Sequence, residues 1–196
     1  MSSPKDTTMI ETRIGNIKDI PGVLSLQERN LYSKLSEEER KNGFVTTPFT
    51  VPQLEEIIKL NGLFVAVNEK NILIAYAFAA SWKYFEQWEI FNVMVSRFPQ
   101  LTFKNEKITT QNTFQYGPVC IDKNYRGRGI LNFIFEEMRI ELVKKYPISI
   151  TFINKINTIS TIAHTKKLGW EIIDEFELNA NTYIVLALDM NKSVLK

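Results

Sequence analysis

The segment "NYRGRGILNF", residues 124–133, alternates Arg126 and Arg128 with Gly127 and Gly129. It follows a run typical of a strand, "FQYGPVCI", and precedes a run typical of a helix, "ILNFIFEEMRIELVKKY". A helix that begins near Gly129 has unpaired backbone N–H groups and a partial positive charge at its N-terminus. Glycines let a ligand approach this backbone, and arginines add charge and paired donors. The segment therefore predicts an anion site, most naturally for a pyrophosphate.

Other interpretations of this segment are weaker but stay open. A P-loop needs a lysine followed by Ser or Thr after the second glycine, and none is present there. A dinucleotide-binding G-x-G-x-x-G needs glycine where Asn132 stands. A solvated basic turn is a further alternative, because short Gly and Arg patterns are weakly specific. An RNA-contacting loop is another, although the net charge of +2 argues against a nucleic-acid binder.

The composition bounds the class of protein. The chain has 196 residues, of which 44% are hydrophobic and 23% charged, as in an ordinary globular domain. One cysteine excludes an internal disulfide, and one cysteine with one histidine makes no zinc cluster, so we expect no metal. The longest apolar run, residues 72–80, is too short for a bilayer, and the N-terminus lacks a signal-peptide core. We expect a soluble, cytoplasmic protein without a membrane partner.

The order of predicted elements is β, α, α, β, β, α, β, α, β, α, β, β. A strand–helix–strand–helix unit in the second half predicts local parallel pairing, and the hairpins predict antiparallel pairing elsewhere. We therefore predict an α+β fold with one mixed, mostly antiparallel sheet and helices on both faces. The expected organisation is a loose N-terminus at residues 1–8, one domain at 9–190 and a tail at 191–196.

Two motifs in this order resemble the GCN5-related N-acetyltransferase superfamily. The first is "CIDKNYRGRGILNFIFEEM", which is similar to the family's R/Q-x-x-G-x-G/A loop between a strand and a helix. Leu131 departs from the usual Gly or Ala there. The second is "NKINTISTIAHTKKLGWEII", with Asn157, Ser160 and His164 at the matching positions. One extra residue before Gly169 leaves either His164 or Thr165 at the place of the family's usual tyrosine.

The resemblance implies the acyl-CoA N-acyltransferase fold, with a splayed pair of parallel strands, and a site for acetyl-CoA (coenzyme A). It implies transfer of the acetyl group to a primary amine by direct attack in a ternary complex. The groups expected to bind the cofactor lie along the strand and the loop: Val119, Cys120, Ile121, Arg126, Gly127, Arg128, Gly129, Ile130, Leu131, Asn157 and Ser160. Backbone groups of residues 119–121 would pair with the pantetheine arm, and one freed amide would stabilise the oxyanion.

Catalytic side chains are less defined. His164 is expected to protonate the departing thiolate or to donate a hydrogen bond to it, with a polar helix residue as the alternative. Tyr116 and Glu86 are candidates for the general base, although either is consistent with ordinary packing or solvation. Asn157 is equally suited to cap a helix. Pairing Cys120 with His164 in a hydrolase is the weakest alternative, because Cys120 lies in an apolar strand.

The sequence does not identify the acceptor. Trp82, Tyr84, Phe85, Trp88 and Phe91, together with the loop "GFVTTPFT", are candidates for its pocket, although their helical spacing favours core packing. A small molecule and a peptide amine both stay open, as does a homodimer. A non-catalytic acyl-CoA sensor of the same fold is the principal alternative to an enzyme.

Overall fold

The computed structural model describes residues 9–195. Within that part of the chain the β-strands are β1 (Glu11–Ile14), β2 (Leu63–Val67), β3 (Leu73–Ala80), β4 (Thr102–Phe103), β5 (Glu106–Lys107), β6 (Thr113–Ile121), β7 (Ile148–Asn154), β8 (Glu171–Leu178) and β9 (Asn181–Asp189). The α-helices are α1 (Ile20–Glu28), α2 (Glu37–Arg40), α3 (Val51–Lys59), α4 (Trp82–Phe85), α5 (Glu89–Arg97), α6 (Ile130–Leu142) and α7 (Thr158–Ile162). The expected loose terminus at residues 1–8 lies outside the described residues.

Seven strands form one sheet in the order β1-β2-β3-β6-β7-β9-β8. Neighbours pair antiparallel, except for β6 and β7, which are parallel. The connection between β6 and β7 contains α6, as a parallel crossover requires. The predicted α+β class with a mixed, mostly antiparallel sheet is therefore confirmed.

Strand β3 shows how the sheet separates two layers of helices. Tyr76 and Phe78 point into the core that α1, α3, α4 and α5 cover. Ala77 and Ala79 point to the opposite face, where α6 packs with Ile134 and its neighbours. All of these β3 side chains are buried, and burial on both faces explains why the sequence of this strand is a continuous apolar run. Small residues under α6 let this helix lie close to the sheet, which fixes the position of its N-terminus.

The parallel pair β6 and β7 separates after three residue pairs. Register pairing runs from Thr113 with Ile148 to Gln115 with Ile150 and then stops. Strand β6 continues to Ile121 along β3 alone, after a bulge in β6 at Gly117 and Pro118. The splayed strands that the resemblance implies are thus present, and the gap between them is the centre of the candidate site.

Several predicted boundaries were wrong. The apolar spacing from Val23 to Leu35 predicts that the first helix reaches Leu35. The helix instead ends at Glu28, because the chain turns to pair Leu31 with Val45. The polar segment "SEEERKNGFVTTPFT", with its Gly and Pro, predicts a loop, but it contains the short helix α2, which Ser36 begins with a capping box. The hairpin β4–β5 was not predicted, because each of its strands has only two residues.

The last predicted helix changes type part of the way along. After α7 it continues as one π-helical stretch, Ala163–Leu168, which ends at Gly169 in the left-handed conformation. A π turn accommodates one residue more than an α turn. The π-helical stretch therefore accommodates the extra residue that precedes Gly169 in the sequence.

No helix within residues 9–195 is long and apolar enough to cross a membrane.

A test of this packing uses Gly62, which lies between α3 and β2. A Cβ at this position would overlap the carbonyl oxygen of Ala79 in the neighbouring strand, and backbone cannot move aside cheaply. Gly62→Ala should lower the free energy of unfolding by about 3 kcal/mol, as overpacked substitutions do. Urea unfolding measures it, with Leu60→Ala at a half-exposed neighbour as the control. A Gly62→Ala midpoint equal to that of the control would contradict the close approach.

Candidate active site

The glycine-rich loop begins helix α6 as the sequence predicts. Gly127 and Gly129 both have φ of +79°, a left-handed conformation that L side chains seldom adopt. Gly129 is the N-cap of α6. The backbone N–H groups of residues 127–131 have no acceptor among the described residues. The loop therefore presents a run of free donors at the positive end of a helix, which is the arrangement expected for an anion.

Arg126 has a different position from the one expected. Its Nε donates to Ile121 O at 3.1 Å, Nη1 to Asn42 O at 2.5 Å and Nη2 to Asn30 Oδ1 at 3.0 Å. The guanidinium thus ties the loop to β6 and to the segment after α2, and three of its donors are engaged. Its charge nevertheless remains in the wall of the cleft beside the loop.

Arg128 lies on the outside of the loop. It is exposed, and its Cζ lies 5.1 Å from the centre of the Tyr125 ring. It does not line the cleft. The sequence groups both arginines together, whereas the structure separates a structural arginine from a solvated one.

The edge of β6 that faces β7 carries unpaired backbone groups. Asp122 N donates to Ile74 O of β3, and the groups of Cys120 point the same way because antiparallel residues alternate. The N–H and C=O groups of Val119 and Ile121 therefore point into the gap. Ile121 O is already used by Arg126, which leaves Val119 with both groups free for a ligand chain.

We call the cavity at this edge the first cleft. It has a volume of about 170 Å³ and is lined by β6, the α6 loop, α7 and residues 42–45. Its charged lining residues are Arg126 and Lys167, without a carboxylate among those described. Backbone donors and lysine and arginine charges together make it suitable for a large anion.

A second cleft of about 100 Å³ lies on the other side of the same gap. Both clefts are lined by Phe44, Val45, Val119, Asn157, Ser160 and His164. These shared residues mark the junction where a group bound in one cleft meets a group bound in the other. The structure brings Val119, Asn157, Ser160 and His164, which the sequence analysis assigns to one site, together at this junction.

Asn157 fastens the junction. Its Oδ1 accepts from Ser160 N at 3.3 Å, so it is the N-cap of α7. Its Nδ2 donates to Phe44 O at 3.4 Å across the cleft. The capping role is confirmed, and its expected contact with a cofactor stays a prediction.

His164 lies in the π-helical stretch and faces both clefts, whereas Thr165 lines neither. The Thr165 hydroxyl instead donates to Thr161 O at 2.8 Å. The His164 ring is 3% exposed and packs edge-on against Tyr116 and Trp170. Of the two residues that the extra position left open, His164 is therefore the one directed at the gap.

The protonation state of His164 follows from its contacts. Nδ1 lies 2.7 Å from Ser160 O, which can only accept, so Nδ1 carries the hydrogen. Nε2 then holds a lone pair. Burial lowers the pKa of His164 to about 4, and the bond to Ser160 opposes this only in part. The ring is neutral at pH 7, so Nε2 could donate a proton to a thiolate only after it has first gained one.

The remaining catalytic candidates are placed less favourably. Tyr116 is buried in the core under α6, and desolvation raises its pKa well above the usual range, so its hydroxyl is no base at neutral pH. Glu86 is exposed and lies in neither cleft, because α4 packs the preceding aromatic residues inward. Burial also raises the pKa of the Cys120 thiol to about 12, which argues against a Cys–His pair.

The structure adds site residues that the sequence analysis missed. Gln115, Thr151, Phe152 and Tyr183 line the second cleft. Of the aromatic candidates for the acceptor pocket, Phe91 alone lines it within the described residues, and the others pack in the core. The predicted loop does contribute, through Phe44, Val45, Thr46 and Thr47. Only the alternation along β6, β7 and β9 could have indicated the missed residues, since the faces of these strands depend on long-range pairing.

Comparison with solved structures finds the same fold in many acetyltransferases. An N-acetyltransferase from Staphylococcus aureus is 15% identical, with a TM-score of 0.60, 93% of this chain and 99% of that chain covered. A GNAT-family acetyltransferase from Streptococcus agalactiae is 13% identical, with a TM-score of 0.57 and 92% and 95% covered. A Salmonella typhimurium protein solved with its cofactor acetyl-CoA is 12% identical, with a TM-score of 0.60 and 94% and 95% covered. No family model and no curated protein matches the chain.

The chain has the fold of the GCN5-related N-acetyltransferase superfamily. At 12–15% identity these likenesses show the fold, which confirms the architecture that the two motifs imply. The cofactor, the acceptor and the chemistry depend on the residues of this chain's own site.

The buried His164 gives a prediction about stability and pH. Its pKa in the folded chain lies below its ordinary value of about 6.5, so the unfolded chain binds the extra proton first as pH falls. Stability should therefore be lost between about pH 6.5 and 4 and be unaffected by this group above pH 6.5. The full difference is about 3 kcal/mol at 1.36 kcal/mol per unit.

The comparison is with His164→Gln, which stays uncharged at any pH. Carboxylates with lowered pKa values, such as Asp19 and Asp174, also weaken the fold in acid, but equally in both proteins. Urea unfolding at several pH values should show the two stabilities changing relative to each other from pH 6.5 to 4. Parallel curves would mean that His164 is not buried as a neutral ring.

Proposed function

We propose that this chain is an N-acetyltransferase that transfers the acetyl group of acetyl-CoA directly to a primary amine. The observation that carries the proposal is the gap between β6 and β7, where free strand groups, an anion loop and two clefts meet. Separated strands and an unpaired glycine-rich helix start have no obvious structural purpose. Together they match what a long thioester cofactor with a pyrophosphate needs.

Acetyl-CoA fits the first cleft by its chemistry. The N–H groups of residues 127–131 would bind the pyrophosphate, with the charges of Arg126 and Lys167 beside them. Val119 would pair with the pantetheine arm as an added strand does. Its N–H group, directed into the gap, would polarise the thioester carbonyl and stabilise the oxyanion that develops there.

The acceptor would enter from the second cleft and attack at the junction. The nitrogen lone pair forms a bond to the acetyl carbon, the carbon–sulfur bond breaks, and the amine's surplus proton ends on the thiolate or in water. The transfer involves no covalent intermediate on the protein. Within the described residues no activated nucleophile lines the junction, and the Cys120 thiol is held protonated. Positioning and desolvation would supply most of the acceleration.

His164 would act on the attacking amine. At neutral pH its Nε2 is an acceptor, suited to orient an N–H of the amine so that the nitrogen lone pair faces the thioester. Protonation of the leaving thiolate, the role that the resemblance implies, would follow only after Nε2 has gained a proton. Both roles require a neutral amine, so turnover should rise with pH as the acceptor loses its proton.

One feature favours the alternative of a non-catalytic acyl-CoA sensor. No carboxylate lines either cleft in the described chain, and the pKa of His164 at the junction is lowered to about 4, which makes it a weak base. A sensor would bind coenzyme A and turn over no amine, whereas an enzyme would release free thiol from acetyl-CoA when an amine is added.

The cofactor site is tested by thermal shift with acetyl-CoA, coenzyme A, NADH and ATP. A ligand at a hundredfold excess over its Kd stabilises the folded chain by about 2.7 kcal/mol. Only the two coenzyme A species should raise the Tm of the wild type. Gly127→Glu should abolish this rise, because it places a side chain and a negative charge where the pyrophosphate would lie.

Gly169→Glu is the matched control for that variant. Gly169 has φ of +80° and, like Gly127, has no heavy atom within 4 Å of the place that a Cβ would take, but it lies outside both clefts. The two variants therefore carry the same backbone strain and the same charge. A full shift in Gly127→Glu, or its loss in both variants, would refute the proposed anion site.

A kinetic test separates the role of His164 from binding. His164→Phe should lower kcat at least tenfold, which is about 1.4 kcal/mol in the barrier, because the amine loses its orienting acceptor. The thermal shift with coenzyme A should persist. Thr165→Val, at the neighbour that faces away from the clefts, should keep the wild-type rate. A His164→Phe enzyme at full rate would make the ring purely structural.

A further inference from the structure

The second cleft has an unusual electrostatic character for an amine site. None of its lining residues among residues 9–195 is Asp, Glu, Lys or Arg. A cationic group that enters loses hydration and finds no carboxylate to replace it. Polyamines, aminoglycosides and lysine-rich peptides carry several such charges. The cleft is therefore unsuited to acceptors that keep a second positive charge.

Aromatic rings form one wall of this cleft. Phe152 contacts Phe91 at a centroid distance of 5.1 Å and Tyr183 at 5.7 Å, both edge to face. Phe176 supports the same ring from behind at 5.9 Å. Rings held in this way present a rigid apolar surface, which favours a flat or apolar partner at little entropic cost.

Gln115 lines this cleft and carries a polar atom without a partner in the described part of the chain. The side chain is 3% exposed and lines the cleft. Its Nε2 donates to Tyr116 O at 2.6 Å, and a carbonyl accepts only, so the orientation of the amide is settled. Its Oε1 has no partner among the described residues. A buried oxygen without a partner is destabilising, and an N–H donor in the cleft would satisfy it.

Thr151 keeps this arrangement in place. Its hydroxyl donates to the same Tyr116 O at 2.8 Å, at the point where β6 and β7 separate. The carbonyl is held from two sides, so the Gln115 amide has little freedom to turn. Its Oε1 is thus a preorganised acceptor in the wall of the cleft, with almost no exposed surface before a ligand binds.

We infer that the acceptor is a compact primary monoamine with an aromatic or otherwise apolar body. Its ring lies against Phe91 and Phe152, and one of its N–H groups donates to Gln115 Oε1. The cleft's volume of about 100 Å³ is small beside the roughly 300–1,000 Å³ of pockets for drug-sized ligands. A compact molecule therefore fits better than a peptide. This inference rests on the proposed acetyl transfer and names the substrate class of that same site.

The wild-type test measures thiol release from acetyl-CoA with three acceptors: 2-phenylethylamine, spermidine and a lysine-containing peptide. We expect kcat/KM for 2-phenylethylamine to exceed the other two at least tenfold. A preference for spermidine or for the peptide would overturn the inference while it supports acetyl transfer itself.

The variant test replaces Gln115 by Met, which keeps the length of the side chain and removes the acceptor. Gln115→Met should lower kcat/KM for 2-phenylethylamine about tenfold and leave the thermal shift with coenzyme A unchanged. Gln111→Met, the same substitution at an exposed position before β6, is the control. An unchanged kcat/KM in a folded Gln115→Met enzyme would refute the role of Gln115.

Binding distinguishes failure of this inference from failure of the proposed function. The Tm of the protein saturated with coenzyme A is measured with and without 2-phenylethylamine. A further rise without turnover of any amine would support the acceptor site and refute catalysis. No rise, together with turnover of a different amine, would refute the acceptor class and retain the enzyme.

Discussion

The separation of β6 from β7 is the constraint on which the site depends. Two parallel strands in the middle of a sheet normally satisfy each other's backbone groups along their whole length. Here they do so over three residue pairs, and β6 then follows β3 alone. Every later feature of the site uses the space that results. The first cleft lies on one side of the gap, the second on the other, and His164 lies between them.

Such a gap needs support from elements outside the sheet. Thr151 holds the Tyr116 carbonyl just beyond the last residue pair, and the bulge in β6 at Gly117 turns the strand away. Arg126 and Asn157 then fasten the segment around Phe44 over the opening, one from each side. Arg126 and Asn157 thus shape the site through the hydrogen bonds that they make within the fold.

The sequence predicts the parts of this arrangement that are local. The loop at residues 126–130 is recognisable because glycine spacing and a helix start are short-range properties, and Asn157 is recognisable as a cap for the same reason. The same information could not separate Arg126 from Arg128, since two of the three partners of Arg126 lie more than 80 residues away in the chain. Gln115 was missed because a polar residue in an apolar strand indicates a site only when the neighbouring strand is known to separate there. That separation of β7 from β6 is a long-range property. Glu86 is a candidate only because it lies among aromatic residues in the sequence, and the rings of those residues pack in the core.

The π-helical stretch after α7 separates two properties that a regular helix would link. In an α-helix, adding one residue turns every later side chain by about 100°, so the ring of His164 and the end of the helix at Gly169 could not both keep their places. The wider turn takes up the added residue beyond His164, and the strand that follows starts undisturbed. Position in the chain is consequently a poor guide to equivalence across this turn. Two related chains can carry an equivalent side chain at the same point in space while their residue counts to the terminal glycine differ by one.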